Sequence, residues 1–336
     1  MNKVFFGDCR DTMRDLVAQG VKVQMCVTSP PYFGLRDYGH PGQLGLEKTP
    51  AEFVAAMVEV FGLVRELLAD DGVLFLNLGD SYNGYMANQR GTGLEAGRQH
   101  SRKYIEPGAG LRTSTLKNKD LIGIPWRVAF ALQADGWYLR QDIIWHKPNP
   151  MPESVTDRCT KAHEYLFLLS KSERYYFDAR AIAQPIAESS KERLAQPNLP
   201  NQAGSDRVPG KTNGNMKAVG PRFGGNKYGD DDREESRTKS GNEYTGGDGL
   251  ANRRSVWTVP TVPYSGAHFA TFPPALIEPC ILAGSRSGDT VLDCFFGSGT
   301  TGEVAGNLGR NWIGCEINEQ YAPLQRARTA QHGLAL

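Results

Sequence analysis

The segment Thr28-Ser29-Pro30-Pro31-Tyr32 brings hydrogen-bond acceptors and an aromatic ring together after an apolar run. That run, Val21 to Val27, predicts a β-strand, and the prolines end it because proline cannot continue a strand ladder. Two successive prolines also remove amide donors, so the carbonyl oxygen of Pro30 can accept a hydrogen bond without a competing N–H group. The Ser29 hydroxyl is a second acceptor, and the flat face of Tyr32 can stack on an aromatic ring. The segment could therefore bind a planar base that carries an exocyclic amino group.

The chemistry that this segment could support is alkylation of such an amino nitrogen. The amino nitrogen of cytosine or adenine is a poor nucleophile because its lone pair is delocalised into the ring. Acceptors on its two hydrogens, Ser29 Oγ and the Pro30 carbonyl, favour a pyramidal nitrogen that can attack a methyl donor in line. Positive charge grows on the nitrogen during the attack, so fixed acceptors stabilise the transition state more than the ground state. The alternative interpretation of S-P-P-Y is a proline turn packed by a tyrosine.

A second group of chemically informative residues lies near the other end of the chain. The pattern there predicts a strand, a glycine turn, a helix and a second strand, at residues 290–295, 296–299, 300–308 and 311–316. Gly297 and Gly299 allow the backbone to approach a ligand, and the helix that begins at Thr300 points amide donors at a negative group. Glu316, at the end of the second strand, can accept hydrogen bonds from both hydroxyls of a ribose. The segment is therefore predicted to be a nucleotide-binding βαβ unit.

Two ligands compete for this glycine loop. The stretch from Gly297 to Gly302 matches the dinucleotide pattern G-x-G-x-x-G, which leaves an NAD-dependent oxidoreductase as an alternative. The stretch from Asp293 to Gly299 instead resembles the D-x-F-x-G-x-G loop of methyltransferases that use S-adenosylmethionine. An acid at Asp293 would repel a pyrophosphate, whereas it suits the cationic methionine portion of S-adenosylmethionine. The loop therefore favours S-adenosylmethionine.

The elements that must position these two groups alternate between strand and helix. Apolar residues at helical spacing predict helices at 50–68, 124–134, 272–282 and 319–330, and apolar runs predict further strands at 73–78, 138–145 and 164–169. A turn is predicted at Asp70-Asp71-Gly72. Strands that alternate with helices are typical of a parallel or mixed α/β sheet, which binds ligands at the carboxyl ends of its strands.

Two polar stretches interrupt this pattern. Residues 86–118 are rich in glycine and carry more basic than acidic side chains, so we expect a basic loop that could hold a phosphate backbone, or else a solvated insertion. Residues 182–255 are dense in glycine, asparagine, serine and proline, and such a polar stretch should be rich in loops.

Composition excludes several classes of protein. The chain of 336 residues has a formal net charge of +1, so a nucleic-acid partner must meet a local basic surface. The six cysteines form no C-x-x-C pair, which argues against a zinc site and a disulfide framework, and no metal site is predicted. No apolar run is long enough for a signal peptide or a membrane span. These features predict a protein of a reducing cytosol.

Together the two motifs resemble the amino-methyltransferases of DNA, whose catalytic segment is written [D/N/S]-P-P-[Y/F/W]. The order seen here, with the catalytic segment first, the cofactor loop last and a polar segment between, resembles the β group of that family. Three further stretches are similar to family segments that lie near the cofactor adenine, line the base pocket and lead into the cofactor unit. They are Gly7-Asp8-Cys9, the W-x-K-x-N stretch from Trp145 to Asn149, and His268 to Pro273.

The resemblance implies a Rossmann-like, doubly wound mixed sheet built from the two ends of the chain. Residues 1–181 would be the catalytic half, 256–336 the cofactor-binding half, and 182–255 an inserted target-recognition region. The implied catalytic residues are Ser29, Pro30, Pro31 and Tyr32, and the base pocket and DNA would be contacted by Trp145, Lys147, Arg90, Arg102, Lys103 and Arg112. The implied cofactor contacts are Asp8, Thr28, His268, Phe272, Asp293, Phe295, Gly297, Ser298, Gly299, Thr300, Glu316 and Asn318.

The implied function is methylation of a flipped-out base in double-stranded DNA. Ser29 at the first catalytic position slightly favours cytosine N4 and leaves adenine N6 open. The resemblance further implies a homodimer, a cognate restriction endonuclease, and a site of action in a prokaryotic cytoplasm, either at the nucleoid or as a phage-encoded enzyme.

Other activities remain as alternatives. A DNA-binding module with an inactive methyltransferase core, or methylation of RNA or a protein amide, would preserve the same motifs. A 5-methylcytosine enzyme needs a cysteine after a proline, and Pro279-Cys280 lies in a predicted helix, where we interpret the cysteine as a core residue.

Overall fold

A computed structural model describes residues 2–35, 37, 39–40, 42–84, 116–187, 250–261 and 272–330. The chain divides into two compact units, one made of Met1–Asp178 with Arg254–Leu336 and the other of Ala179–Arg253. The described part of the second unit contains one short antiparallel pair, β6 (Gln184–Pro185) with β7 (Leu250–Ala251). The candidate site lies in the first unit.

The described residues of the first unit form one eight-stranded sheet. Its strands are β1 (Lys3–Phe6), β2 (Val23–Thr28), β3 (Leu68–Leu78), β4 (Tyr138–His146), β5 (His163–Ser170), β8 (Val256–Thr258), β9 (Thr290–Asp293) and β10 (Asn311–Glu316). Their order across the sheet is β1-β10-β9-β2-β3-β5-β4-β8. β5 runs antiparallel to both of its neighbours and the other pairs are parallel, so the carboxyl ends of seven strands and the start of β5 share one edge.

Helices cover both faces of this sheet, as the doubly wound interpretation predicted. They are α1 (Cys9–Ala18), α2 (Pro50–Leu67), α3 (Ile124–Ala134), α4 (Pro274–Gly284), α5 (Thr300–Asn307) and α6 (Ala322–Thr329). Successive side chains of a strand point to opposite faces. Accordingly, Leu74 and Leu76 of β3 belong to the hydrophobic cluster with α1, α2 and α3, while Val73 and Phe75 belong to the cluster with α4 and α5.

α2 shows why these residues form a helix where the pattern predicted one. Thr49 accepts a hydrogen bond from the Glu52 amide, and the Glu52 carboxylate accepts one from the Thr49 amide, which completes a capping box. Pro50 occupies the first turn, where no amide donor is needed. The apolar residues at helical spacing are buried along one face, so packing against the sheet stabilises the helix.

Several predicted boundaries were wrong. Asp70-Asp71-Gly72 forms a bulge within β3 instead of a turn, because β3 pairs with β2 on both sides of these residues with a register shift between them. The helix predicted at 319–330 is a 3-10 turn (Glu319–Tyr321) followed by α6, and a proline occupies the first turn of α6. The strand predicted at 290–295 ends at Asp293. Neither β1 nor α1 was predicted.

None of the helices in the described ranges is long and apolar enough to cross a membrane.

Candidate active site

The two motifs meet at the shared edge of the sheet, although 265 residues separate them in sequence. β2 ends at Thr28 and pairs in parallel with β9, which ends at Asp293. The Thr28 hydroxyl donates a hydrogen bond of 2.6 Å to Asp293 Oδ1. The S-P-P-Y segment, which begins one residue after Thr28, therefore lies directly beside the glycine loop.

Asp293 is fully buried at this junction and is surrounded by donors from the protein. Its second oxygen accepts a hydrogen bond of 2.6 Å from the Thr301 hydroxyl, and the Phe295 amide donates to the first at 3.0 Å. Burial raises the pKa of Asp293 to about 6, while these donors pull it back. In this structure the carboxyl group thus joins the end of β2, where the S-P-P-Y segment begins, to the glycine loop and α5.

A cavity of about 910 Å³ opens at the edge of the sheet where the two motifs meet. Ligand pockets commonly have volumes of about 300–1,000 Å³, so this one has room for a nucleoside cofactor and a base together. The structure brings most of the residues that the sequence singled out into its lining. The predicted cofactor contacts, which we call the cofactor side, are Asp8, Phe272, Phe295, Gly297, Ser298, Thr300, Glu316 and Asn318. The predicted catalytic and base-pocket residues, which we call the base side, are Ser29, Pro30, Pro31, Tyr32, Trp145 and Lys147.

Other residues that the sequence singled out do not line the cavity. Thr28 is buried behind it and contacts it through Asp293. Gly299 caps the start of α5 at a φ of 91°, a left-handed conformation that favours glycine. His268 and the basic residues Arg90, Arg102, Lys103 and Arg112 lie outside the described residues.

Glu316 ends β10 with its carboxylate at the cavity. Its oxygens accept hydrogen bonds from the amides of Gly297, at 2.7 Å, and Asn318, at 2.8 Å. Burial raises the pKa of Glu316 to about 7, which means that its charge changes near neutral pH. A buried carboxylate beside a backbone turn can accept hydrogen bonds from a pair of sugar hydroxyls.

Asp8 lies close to Glu316 at the same cavity, because the amide of the preceding Gly7 donates a hydrogen bond of 2.9 Å to the Glu316 carbonyl. Asp8 caps α1 by accepting a hydrogen bond of 2.8 Å from the Arg10 amide, and it also pairs with the Arg10 guanidinium. That pairing lowers the pKa of Asp8, so the group is ionised at neutral pH. Its charge can attract the exocyclic amino group of an adenine ring.

α6 holds the glycine loop from the side of the C-terminal helix. Gln325 Nε2 donates a hydrogen bond of 2.7 Å to the Gly297 carbonyl. The Arg328 guanidinium donates hydrogen bonds of 2.6 Å to the hydroxyls of both Ser298 and Thr300. The sequence analysis missed Gln325 and Arg328, because nothing in their local spacing indicates that their helix packs on the loop.

On the base side, Tyr32 lies between neighbouring strands. Its phenolic oxygen is 2.6 Å from Glu164 Oε2 on β5 and 3.2 Å from Asn77 Oδ1 on β3, and the Ser29 hydroxyl lies 3.5 Å from it. A Cβ atom on Gly79 would overlap the ring, so the absence of a side chain there makes room for Tyr32. The sequence analysis missed Asn77, Gly79 and Glu164 as well.

Lys147 completes this group. Its ammonium donates to Glu164 Oε1 and lies 4.3 Å from the centre of the Trp145 ring. The Trp145 indole N–H donates a hydrogen bond of 2.8 Å to the Val259 carbonyl. The tryptophan is therefore locked in place, and it forms a fixed surface beneath the lysine.

The Pro279-Cys280 pair lies inside α4, as expected for a core cysteine. Cys280 is fully buried, and its thiol donates to the Leu276 carbonyl one turn earlier.

Comparison with known proteins identifies the family. The sequence profile of the DNA methylase family matches residues 23–326. The chain is 40% identical over 329 residues to the type II methyltransferase M.SmaI of Serratia marcescens, covering 97% of this chain and 90% of that protein. It is 42% identical over 324 residues to M.Cfr9I of Citrobacter freundii, covering 96% and 85%. The chain belongs to the DNA methylase family. It is an S-adenosylmethionine-dependent DNA methyltransferase that acts on an exocyclic amino group.

Solved structures share the fold of this methyltransferase. A putative DNA modification methylase of Thermus thermophilus, complexed with S-adenosylmethionine, aligns with a TM-score of 0.55 at 21% identity and covers 100% of this chain and 98% of that one. The PvuII DNA methyltransferase, described as cytosine-N4-specific, aligns with a TM-score of 0.57 at 16% identity and covers 99% and 88%. The dinucleotide alternative for the glycine loop was wrong.

Proposed function

We propose that this methyltransferase methylates cytosine N4 in double-stranded DNA, with Ser29, Pro30, Pro31 and Tyr32 as its catalytic segment. The observation that carries the proposal is the cavity shared by the S-P-P-Y segment and the glycine loop, which the bond between Thr28 and Asp293 holds together. One cavity in contact with both motifs allows a methyl donor and an amino nitrogen to meet.

The cofactor half of the cavity fits S-adenosylmethionine in its donor set. Glu316 would hold the ribose hydroxyls, and Asp8 would face the amino group of the adenine. Phe272 and Phe295 would supply the apolar surface for the adenine ring, and the remaining contacts would come from the glycine loop with Asn318. When bound, the cofactor supplies an electrophilic methyl group on a sulfonium.

The chain's own residues would then activate the base. Ser29 Oγ and the Pro30 carbonyl accept hydrogen bonds from the two amino hydrogens, which localises the nitrogen lone pair. Tyr32 offers its face to the ring of the flipped base and offsets part of the cost of leaving the stack. Because the nitrogen becomes positive as it is methylated, these fixed acceptors stabilise the transition state more than the bound base. As the new N–C bond forms, the bond between sulfur and the methyl group of the cofactor would break and release a thioether. The methylated amino group would then lose one of its protons to solvent water.

The base half of the cavity favours cytosine. Next to its amino group, cytosine presents two acceptors, N3 and O2, whereas adenine presents N1 and then a C–H. The lysines Lys147 and Lys161 both line this half, and Lys161 donates to the Asp80 carbonyl at 3.1 Å. The ammonium groups of these two lysines are hydrogen-bond donors, and they suit the edge of cytosine because it carries O2 as a second acceptor.

DNA would be bound outside the cavity as well. We assign phosphate contacts to the basic segment 86–118 and target recognition to 182–255; their basic side chains support this assignment, and they lie mostly outside the described residues. We also propose a homodimer, which the resemblance to the β group implies, and a cognate restriction endonuclease, which the type II designation of M.SmaI and M.Cfr9I supports. Those relatives are bacterial, which supports action in a bacterial cytoplasm. Within it, we propose an enzyme that acts at the nucleoid or is encoded by a phage.

The test is to identify the methylated nucleoside. The protein is incubated with unmethylated DNA and isotopically labelled S-adenosylmethionine, and the digested DNA is analysed by mass spectrometry. We expect labelled N4-methylcytosine. Labelled N6-methyladenine would contradict the choice of base and leave the catalytic segment in place.

A single substitution, Ser29→Ala, tests whether the S-P-P-Y segment is catalytic. Ser29→Ala removes one acceptor, and losing such a group typically lowers kcat by about 100- to 1,000-fold. Cofactor binding, measured by calorimetry, should survive because the Ser29 hydroxyl is directed at Tyr32, on the base side of the cavity. Full activity of Ser29→Ala would move the active site elsewhere.

A further inference from the structure

Glu164, near the start of β5, accepts hydrogen bonds from three side chains of the base half of the cavity. Its Oε2 atom lies 2.6 Å from the Tyr32 phenolic oxygen and 3.2 Å from Asn77 Nδ2, and its Oε1 accepts from the Lys147 ammonium. Only 14% of its side chain is exposed to solvent. An ionised carboxylate can accept and cannot donate, so this group is a fixed acceptor.

The phenol of Tyr32 has one proton and two acceptors within reach. The bond to Glu164 is shorter than the 3.2 Å separation from Asn77 Oδ1 and is assisted by the charge, so the proton lies on the Glu164 side. The phenolic oxygen can also accept a hydrogen bond through its lone pairs. The Ser29 hydroxyl, at 3.5 Å, is positioned to be that donor.

The direction of this chain of hydrogen bonds decides what Ser29 presents to the base. A hydroxyl has one proton, and if that proton points at Tyr32, the lone pairs of Ser29 Oγ face the cavity. If the chain ran the other way, Ser29 would present its proton to an amino group that itself needs an acceptor. We infer that Glu164 is a positioning residue that sets this direction and keeps Ser29 Oγ an acceptor. The inference rests on the proposed catalytic role of Ser29.

Lys147 stabilises the negative charge of Glu164 in a pocket that is shielded from solvent. A buried carboxylate is costly unless a positive charge and hydrogen-bond donors accompany it. The Lys147 ammonium supplies the charge from the opposite oxygen, so it leaves Oε2 available to Tyr32 and Asn77.

The test is Glu164→Gln, which keeps the size of the side chain and allows its amide to donate to Tyr32. A reversed chain should lower kcat by about 100-fold, the cost that a small misplacement of reacting groups can have. The affinity of the variant for S-adenosylmethionine should stay within about twofold of that of the unmodified enzyme, because the hydrogen bond that it weakens acts on the base in the transition state. Fluorescence of 2-aminopurine at the target position should still report an extruded base.

The matched control is Asp289→Asn. The Asp289 carboxylate accepts a hydrogen bond of 2.7 Å from the Arg286 amide and its side chain is 27% exposed, so it is a partly shielded carboxylate that is not among the residues lining the cavity. We expect its kcat to equal that of the unmodified enzyme.

A second variant separates positioning from a structural role. Tyr32→Phe keeps the ring and breaks the chain, so it should lower kcat by about tenfold, and Glu164→Gln added to it should cost far less than it does alone. Equal losses in the two backgrounds, or an unchanged kcat in Glu164→Gln, would overturn the inference. If Glu164→Gln does not fold, an unchanged kcat in Tyr32→Phe alone would do so.

Ser29→Ala distinguishes the two proposals. A fully active Ser29→Ala enzyme would refute the proposed function. An inactive Ser29→Ala enzyme, together with a fully active Glu164→Gln enzyme, would refute the role of Glu164 and leave the function standing.

Discussion

Tyr32 depends on a neighbour that contributes no side chain at all. Gly79 follows β3, and a Cβ atom there would overlap the Tyr32 ring, whose hydroxyl bonds to Glu164 and Asn77. The ring can make room only by leaving these hydrogen bonds. The absence of a side chain at Gly79 therefore allows Tyr32 to keep these hydrogen bonds.

Gly79→Ala should reduce catalysis while leaving the fold intact. We expect kcat to fall by about 10- to 100-fold because the displaced ring misplaces the base. Gly62→Ala is the control, since a Cβ atom there meets nothing within 4 Å and alanine favours the helix α2. Steady-state kinetics with thermal unfolding of both variants makes the comparison, and equal kcat values would show that Tyr32 tolerates displacement.

Glu316 should make cofactor affinity depend on pH. Burial raises its pKa to about 7, so below that pH the carboxyl is protonated and accepts fewer hydrogen bonds from the ribose hydroxyls. Affinity should therefore rise with pH by up to about tenfold per unit as the pH approaches 7 from below, and level off above it. Calorimetry from pH 5.5 to pH 8.5, a range of about three units chosen to span the change, measures this. Glu316→Gln should bind more weakly and lose this dependence, and an unchanged slope in that variant would assign the proton to another group.

Among the elements, the short helix α6 contacts the glycine loop. This short helix places Gln325 and Arg328 against the glycine loop, where they bond to Gly297, Ser298 and Thr300. The loop contains two glycines with positive φ and has little intrinsic stiffness. The helix therefore supplies order that the loop lacks.

Arg328→Ala should weaken S-adenosylmethionine binding by about tenfold, as expected for the loss of hydrogen bonds to a charged group. Arg326→Ala is the control on the same helix, because Arg326 is exposed on the helix surface. Calorimetry of both variants gives the comparison. An Arg328→Ala protein that binds the cofactor with unchanged affinity would show that the loop is ordered without α6.

In the whole molecule, the two ends of the chain make one compact unit and Ala179–Arg253 makes another. The sheet and the described cofactor side of the cavity are built entirely from the first unit. We therefore expect cofactor binding to survive deletion of most of the second unit.

Replacing residues 190–249 with a short flexible linker should preserve cofactor affinity within about threefold, because the described residues that line the cavity all lie outside this segment. Methylation should lose its sequence selectivity, which sequencing of methylated DNA would reveal. Unchanged target choice would make the segment a spacer, and loss of cofactor binding would show that the first unit needs it.

Most strands and helices of the first unit could be predicted because each depends on residues close in sequence. α3 and β10 were predicted with the bounds that the structure has, since apolar spacing and flanking turns are local signals. The bulge at Asp70–Gly72 could not, because pairing with β2 overrides the local turn preference of these residues.

By itself, the amino-acid sequence determined the α/β class, the S-P-P-Y segment and the glycine loop, because a few adjacent residues define each of them. Tertiary structure alone decided which side chains bring these motifs to one cavity, and that Glu164 and Arg328 contact them. Thr28 and Asp293 meet because two strands far apart in sequence are neighbours in the sheet. Strand pairing of that kind depends on the packing of the whole core, and no short stretch of sequence records it.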